Sequence, residues 1–200
     1  MNRRVGFQLG LVALALTAFG GHAMAATSCN TGPTALLGAQ GPPLSGTVTG
    51  GVVVNAGAFC VIVGANISGG LRVNPGAVLF VCGSTINGGI TTNGAAQLIF
   101  GAEELPFCEG NFINGAVNIS NTAGGDAFPN GPPSIAVENS TLNGGVHLSG
   151  NQGHIAVAFN TIAGGLFCSN NAFELADEGH PSLITGKVTC QFGDFGGDGD

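Results

Sequence analysis

The chain has 200 residues, 37 of them glycine, with no Trp or Tyr, and its 11 carboxylates outnumber four basic residues for a formal charge of −7. That balance excludes a nucleic-acid binder or an anionic-membrane binder, both of which need clustered cations. A hydrophobic content of 44 % argues against a disordered chain, and the lack of a G-x-y triplet period excludes collagen.

Residues 1–25 read as an export signal. Arg3 and Arg4 precede an apolar run from Leu9 to Phe19, and Ala23-Met24-Ala25 has the small-x-small form of a cleavage site. Cleavage before Ala26 leaves Arg72 and Lys187 as the basic residues. No later segment offers about 18 uninterrupted apolar residues, so no membrane span is expected. The expected location is secreted, extracellular or in the cell envelope. Cys29, Cys60, Cys82, Cys108, Cys168 and Cys190 all follow the cleavage site, and an even count in an exported chain implies disulfides. No C-x-x-C pair is present and the closest cysteines are 22 residues apart, which argues against zinc.

Residues 26–47, with Pro42 and Pro43 in GAQGPPLSG, are expected to form an amino-terminal cap, because proline cannot donate to a strand ladder. From residue 48 one short pattern recurs: VTGGVVV at 48–54, ISGGLRV at 67–73, INGGITT at 86–92, INGAVNI at 113–119, LNGGVHL at 142–148, IAGGLFC at 162–168 and ITGKVTC at 184–190. The starts lie 19, 19, 27, 29, 20 and 22 residues apart. Apolar residues at the fifth and mostly the seventh positions give the period of two expected of a strand with one buried face. The third-position glycines, Gly50, Gly69, Gly88, Gly115, Gly144, Gly164 and Gly186, are expected to permit a bend. A second strand follows in GAFCVIVG at 57–64, GAVLFVCG at 76–83 and GAAQLIFG at 94–101, with an echo in GHIAVAFN at 153–160.

A unit of about 20 residues cannot bury its apolar side alone, whereas stacked units make a continuous core. The sequence therefore predicts an all-β, single-domain, right-handed parallel β-helix (a β-solenoid) of about seven coils over residues 48–192, stabilised by disulfides. At about 4.8 Å per coil it rises roughly 35 Å. The longer intervals are expected loop insertions near 101–111 and 121–134, and residues 193–200 form an acidic Gly/Asp tail. Position seven gives the inward column Val54, Val73, Thr92, Ile119, Leu148, Cys168 and Cys190. Its last two members are vertical neighbours within disulfide reach, so Cys168 is expected to bridge Cys190. The second-strand alignment sets Cys60 beside Leu79 and Gln97, and Cys82 beside Val63 and Phe100. Cys60 and Cys82 then have opposite parity, which favours Cys29 with Cys60 and Cys82 with Cys108.

The Cys-containing start, the repeated V-x-G-G-V coils and the ending NTIAGGLFCSNN followed by ITGKVTC resemble a group of short secreted actinobacterial-type proteins of unassigned activity. More distantly the repeat is similar to that of the bactofilins, which are cytoplasmic polymers. The resemblance implies a β-helix and supplies no catalytic residues.

Reactive side chains are sparse in the sequence. Polysaccharide lyases and hydrolases on this fold need acids, usually paired with a base or calcium, but the outward sixth position reads Val53, Arg72, Thr91, Asn118, His147, Phe167 and Thr189. His147, His154 and His180 share no evident face. Glu103, Glu104 and Glu109, like Glu174, Asp177 and Glu178, read as solvated loop charge. Asp194, Asp198 and Asp200 are calcium candidates that lack the ordered 12-residue loop. No catalytic residue, cofactor or firm metal site is assigned. The expected function is a non-enzymatic structural or surface-interaction protein, with self-association through coil ends and contact with cell wall or glycan as its partnerships. A carbohydrate-active enzyme or carbohydrate-binding β-helix is the alternative.

Overall fold

The computed structural model describes residues 25–32, 42–102, 108, 110–124 and 133–193. The expected signal segment to residue 24, the Gly/Asp tail from Asp194 and much of both insertions, with Glu103, Glu104, Glu109, Asp198 and Asp200, lie outside them. The described chain is all-β, without a helix, and its strands pair in parallel in two sheets. Leu166 and Val188, in a further isolated bridge, are parallel as well.

The seven-stranded sheet runs β1 (Thr27–Cys29), β3 (Val52–Val54), β5 (Leu71–Val73), β8 (Ile90–Asn93), β11 (Val117–Ser120), β14 (Val146–Ser149) and β17 (Leu166–Ser169). Its strands from β3 onward are the second halves of the repeated motif. Val52 pairs with Leu71, Leu71 with Ile90, Ile90 with Val117, Val117 with Val146, and Val146 with Leu166, so the copies stack without slipping. Alternation places Val54, Val73, Thr92, Ile119 and Leu148 in the interior and Arg72, Thr91, Asn118 and His147 in solvent.

The twelve-stranded sheet comprises two runs that meet in β4 (Phe59–Ile67). Gly64, with φ 60°, sits within this strand where the backbone must take a left-handed conformation that glycine adopts without penalty. The residues before it pair with β6 (Val78–Cys82), and that run continues through β9 (Gln97–Phe100), β12 (Ile135–Glu138), β15 (Ile155–Ala158) and β18 (Leu175–Ala176). The residues after it pair with β7 (Thr85–Ile86), followed by β10 (Phe112–Ile113), β13 (Thr141–Leu142), β16 (Thr161–Ile162) and β19 (Leu183–Ile184). All three runs contribute to one core that includes Val54, Leu79, Phe100, Ile113 and Leu142. Within the segment expected to cap the stack, β1 pairs with β3 and β2 (Leu44–Val48) pairs with β4, so both extend the sheets.

Two details differ from the sequence reading. Leu79 pairs with Leu98, not Gln97, and Val81 rather than Cys82 pairs with Phe100. The backbone N–H groups of Ala96 and Gln97 both reach the Ala77 carbonyl, which absorbs one extra residue after Gly94. A one-residue slip exchanges the faces of a strand, and this one sends Leu98 and Phe100 into the core. The second difference is β12, a strand that the repeat pattern did not reveal.

The seven motif glycines all sit at chain bends, Gly50 with a positive φ. At the others close approach is what excludes a side chain. A Cβ on Gly69 would stand 2.6 Å from the Gly51 nitrogen, on Gly88 2.6 Å from the Gly70 nitrogen, and on Gly115 2.6 Å from the Gly89 nitrogen. Gly144, Gly164 and Gly186 meet the preceding coil's backbone in the same way.

Cysteines bridge Cys29 to Cys60, Cys82 to Cys108, and Cys168 to Cys190. Cys60 faces the main core, whereas Cys82 lies on the opposite side of the sheet. There it joins Val61, Phe80, Ile99, Ala136 and Cys108 in a second apolar cluster, with Phe59 stacked on Phe80 at 5.5 Å.

Candidate functional site

Polar side chains tie coil to coil along two corners. At one, Ser84 Oγ accepts the Ala65 N–H, Asn111 Oδ1 accepts the Ser84 N–H, Ser140 Oγ accepts the Asn111 N–H, and Asn160 Oδ1 accepts the Ser140 N–H. Ser182 Oγ closes the series on the Asn160 N–H. Ser84, Asn111, Ser140 and Asn160 are buried, and each donor so satisfied avoids the cost of an orphaned buried group. A solvent-exposed ladder of amides runs beside the motif turns: Asn87 donates to Asn66, Asn114 to Asn87, and Asn143 to Asn114. These residues hold the stack together and leave little free for chemistry.

The outer side of the β4–β6–β9 run is filled by the cluster around Cys82 and Cys108, whereas the outer side of the seven-stranded sheet carries a column of solvent-facing side chains. Its outward column is Ser28, Val53, Arg72, Thr91, Asn118, His147 and Phe167, each in register with the next. Around Arg72 lies a shallow groove of about 690 Å³. Gly51, Gly70 and Gly89 form one flank, and Asn74 and Asn93 the other. Glycine paves that flank because the turns touch, so no side chain rises above it. Arg72 is exposed and makes no hydrogen bond or ion pair with any described residue. Farther along the column the His147 ring stacks on Phe167, centroids 4.7 Å apart and planes 16° from parallel.

Two other aromatic pairs mark the corners of the later coils. His154 stacks on Phe173 at 4.4 Å and His180 on Phe159 at 4.0 Å. The three histidines are therefore spread over three places, each against a phenylalanine of the neighbouring coil. Phe159 has φ 56°, a conformation that costs a bulky residue on the order of 1–3 kcal/mol. Gly64, Gly83, Gly101 and Asn139 hold the same left-handed backbone at the preceding turns of this corner. Past Cys168 a second, smaller cavity of about 280 Å³ is lined by Phe173, Glu174, Thr189 and Gln191. Asp177 accepts the Gly179 N–H and Glu174 and Glu178 are exposed. Glu138, which the sequence reading did not single out, is 1 % exposed.

Among the described residues no group of three or more His, Cys, Asp or Glu side chains is placed to hold a metal ion, and no helix is long and apolar enough to cross a membrane. The chain matches no known protein family, no curated protein and no solved structure.

Proposed function

We propose that this chain is a right-handed parallel β-helix of seven coils that acts outside the cytoplasm as a non-enzymatic structural and surface-interaction rod. The observation that carries the reading is the continuity of the coil-to-coil ladders: strand registers, buried Ser/Asn bonds and exposed Asn bonds all run along one axis. Such a molecule resists bending and presents long, regular faces. Right-handedness follows from the strong preference of parallel strand connections, about 98 % of which turn that way. The three disulfides are compatible with an oxidising, extracellular setting. Exposed strand edges at the coil ends suit self-association.

The test uses purified, oxidised protein with a panel of cell-envelope and extracellular polysaccharides. Retention on a surface or glycan without product release, together with oligomers or filaments in light scattering and electron microscopy, supports the rod. Release of unsaturated or reducing-end sugar products would establish an enzyme instead.

A further inference from the structure

The geometry points to the outward face of the seven-stranded sheet as a binding track for an acidic, uronate-bearing polysaccharide, with Arg72 receiving a sugar carboxylate. The assignment rests on the surface-interaction reading above and names its ligand class. Three features of the face converge on this chemistry.

The first is charge. Arg72 is an exposed guanidinium with no partner among the described residues, standing in the outward column between Val53 and Thr91. Among the described residues no carboxylate lines its groove. The described acids lie elsewhere: Glu138 is buried in β12, and Glu174, Asp177 and Glu178 follow β17. A guanidinium forks onto one carboxylate with two parallel hydrogen bonds.

The second is shape. A small molecule is usually held in a cleft that buries most of its surface, whereas this groove is a shallow trough beside a glycine-paved flank. It accommodates an extended, thin chain. The side-chain amides of Asn74 and Asn118 have no partner among the described residues, so both can bond to sugar hydroxyls beside Arg72 and farther along the column.

The third is the aromatic plate. From Arg72 the column passes Thr91 and Asn118 to reach His147, stacked on Phe167. Three coil steps make this about 14 Å, a distance that a chain of several sugars bridges and a single sugar does not. A Cβ on Gly165 would come 2.5 Å from the tip of the Phe167 ring, so the stacked His147–Phe167 pair leans over the glycine flank and adds an apolar contact for the sugar chain.

The decisive measurement compares polygalacturonate with its fully methyl-esterified form by affinity electrophoresis, using the purified, oxidised protein and the variants R72Q, K187Q and F167A. The acidic polymer is expected to bind about tenfold more tightly than the ester, and R72Q to abolish that tenfold preference, the loss of one charge-assisted pair. K187Q, at the flank position beside Phe167, should weaken the acidic polymer less than R72Q does and preserve the preference. F167A should weaken both polymers equally and preserve the preference. Arg72 is exposed, so R72Q is expected to keep the parent's thermal midpoint, which separates lost binding from lost folding. Equal binding of acid and ester, a preference that survives R72Q, or no binding of either polymer overturns the track. The rod reading survives those outcomes and fails separately, on release of sugar products.

Discussion

Cys168 and Cys190 are bridged with their Cα atoms 4.8 Å apart, and theirs is the one disulfide whose two cysteines are both half-buried rather than buried. Beyond Cys168 the described chain buries one side chain, Leu175. The final coil is therefore held mainly by a covalent bond and by backbone pairing. A mild thiol should open this bridge first, so mass spectrometry should find Cys168 and Cys190 alkylated while the other four remain bonded. The double variant C168S/C190S should lose about 3 kcal/mol, or about 6–12 °C in thermal midpoint for a domain of this size. Alkylation appearing first at Cys82 or Cys108 would contradict the assignment.

Asn160 is the most heavily used member of the buried ladder. It accepts the Ser140 N–H at 3.0 Å and donates to the Val137 carbonyl at 2.6 Å, at 2 % exposure. Leucine in its place fills a similar volume but strands both backbone groups. Each orphan costs about 1–3 kcal/mol, so N160L should lower unfolding free energy in urea by about 2–6 kcal/mol. Asn143, at the end of the exposed ladder, gives the comparison: N143A removes one bond in solvent and should cost under about 1 kcal/mol.

The glycine columns make an equally sharp contrast. A Cβ on Gly88 would meet the Gly70 nitrogen at 2.6 Å and the Gly69 carbonyl carbon at 2.7 Å, both backbone, and neither coil can retreat without breaking its ladder. G88A should therefore lower the soluble, oxidised yield severely. At Gly145 the nearest neighbour is the Gly165 oxygen at 3.3 Å, which a small shift relieves. G145A is expected to fold, with a loss of about 1 kcal/mol or less. Similar yields and thermal midpoints for the two variants would contradict the packing account.

The parts of this architecture written with period two were legible before any coordinates. Buried Val54, Val73 and Leu148 and exposed Arg72 and His147 follow from alternation within the motif, and the motif copies align themselves. The offset between Leu79 and Gln97 was not legible, because glycine brackets align equal lengths while the strand absorbs an extra residue to keep Leu98 and Phe100 inside. Strand β12 was hidden for a related reason: SIAVEN lacks the opening glycine that announced its counterparts. Phe159 in a left-handed turn defied any residue-type rule, and only the column through Gly101 and Asn139 identifies it. The aromatic pairs also depended on vertical neighbours. His147 and Phe167 are 20 residues apart, and only the register between β14 and β17 brings their rings together.

Thr92 sits in the inward column between Val73 and Ile119, paired with both across the sheet. It is 1 % exposed, and its hydroxyl has no hydrogen-bond partner among the described residues. Valine has nearly the same shape without the polar atom, so T92V should keep the packing while removing a buried group that folding strips of water. An unsatisfied hydroxyl costs about 1–3 kcal/mol in protein substitutions, and some of that is recovered here. T92V is thus expected to raise stability by about 1 kcal/mol in urea unfolding, with an unchanged denaturant slope because the exposed area on unfolding is the same. A fall in stability would mean that the Thr92 hydroxyl is bonded in solution and that the column is polar at this coil. At Val73 the reverse change, V73T, should cost a similar amount, since it places a hydroxyl in the same column one coil away.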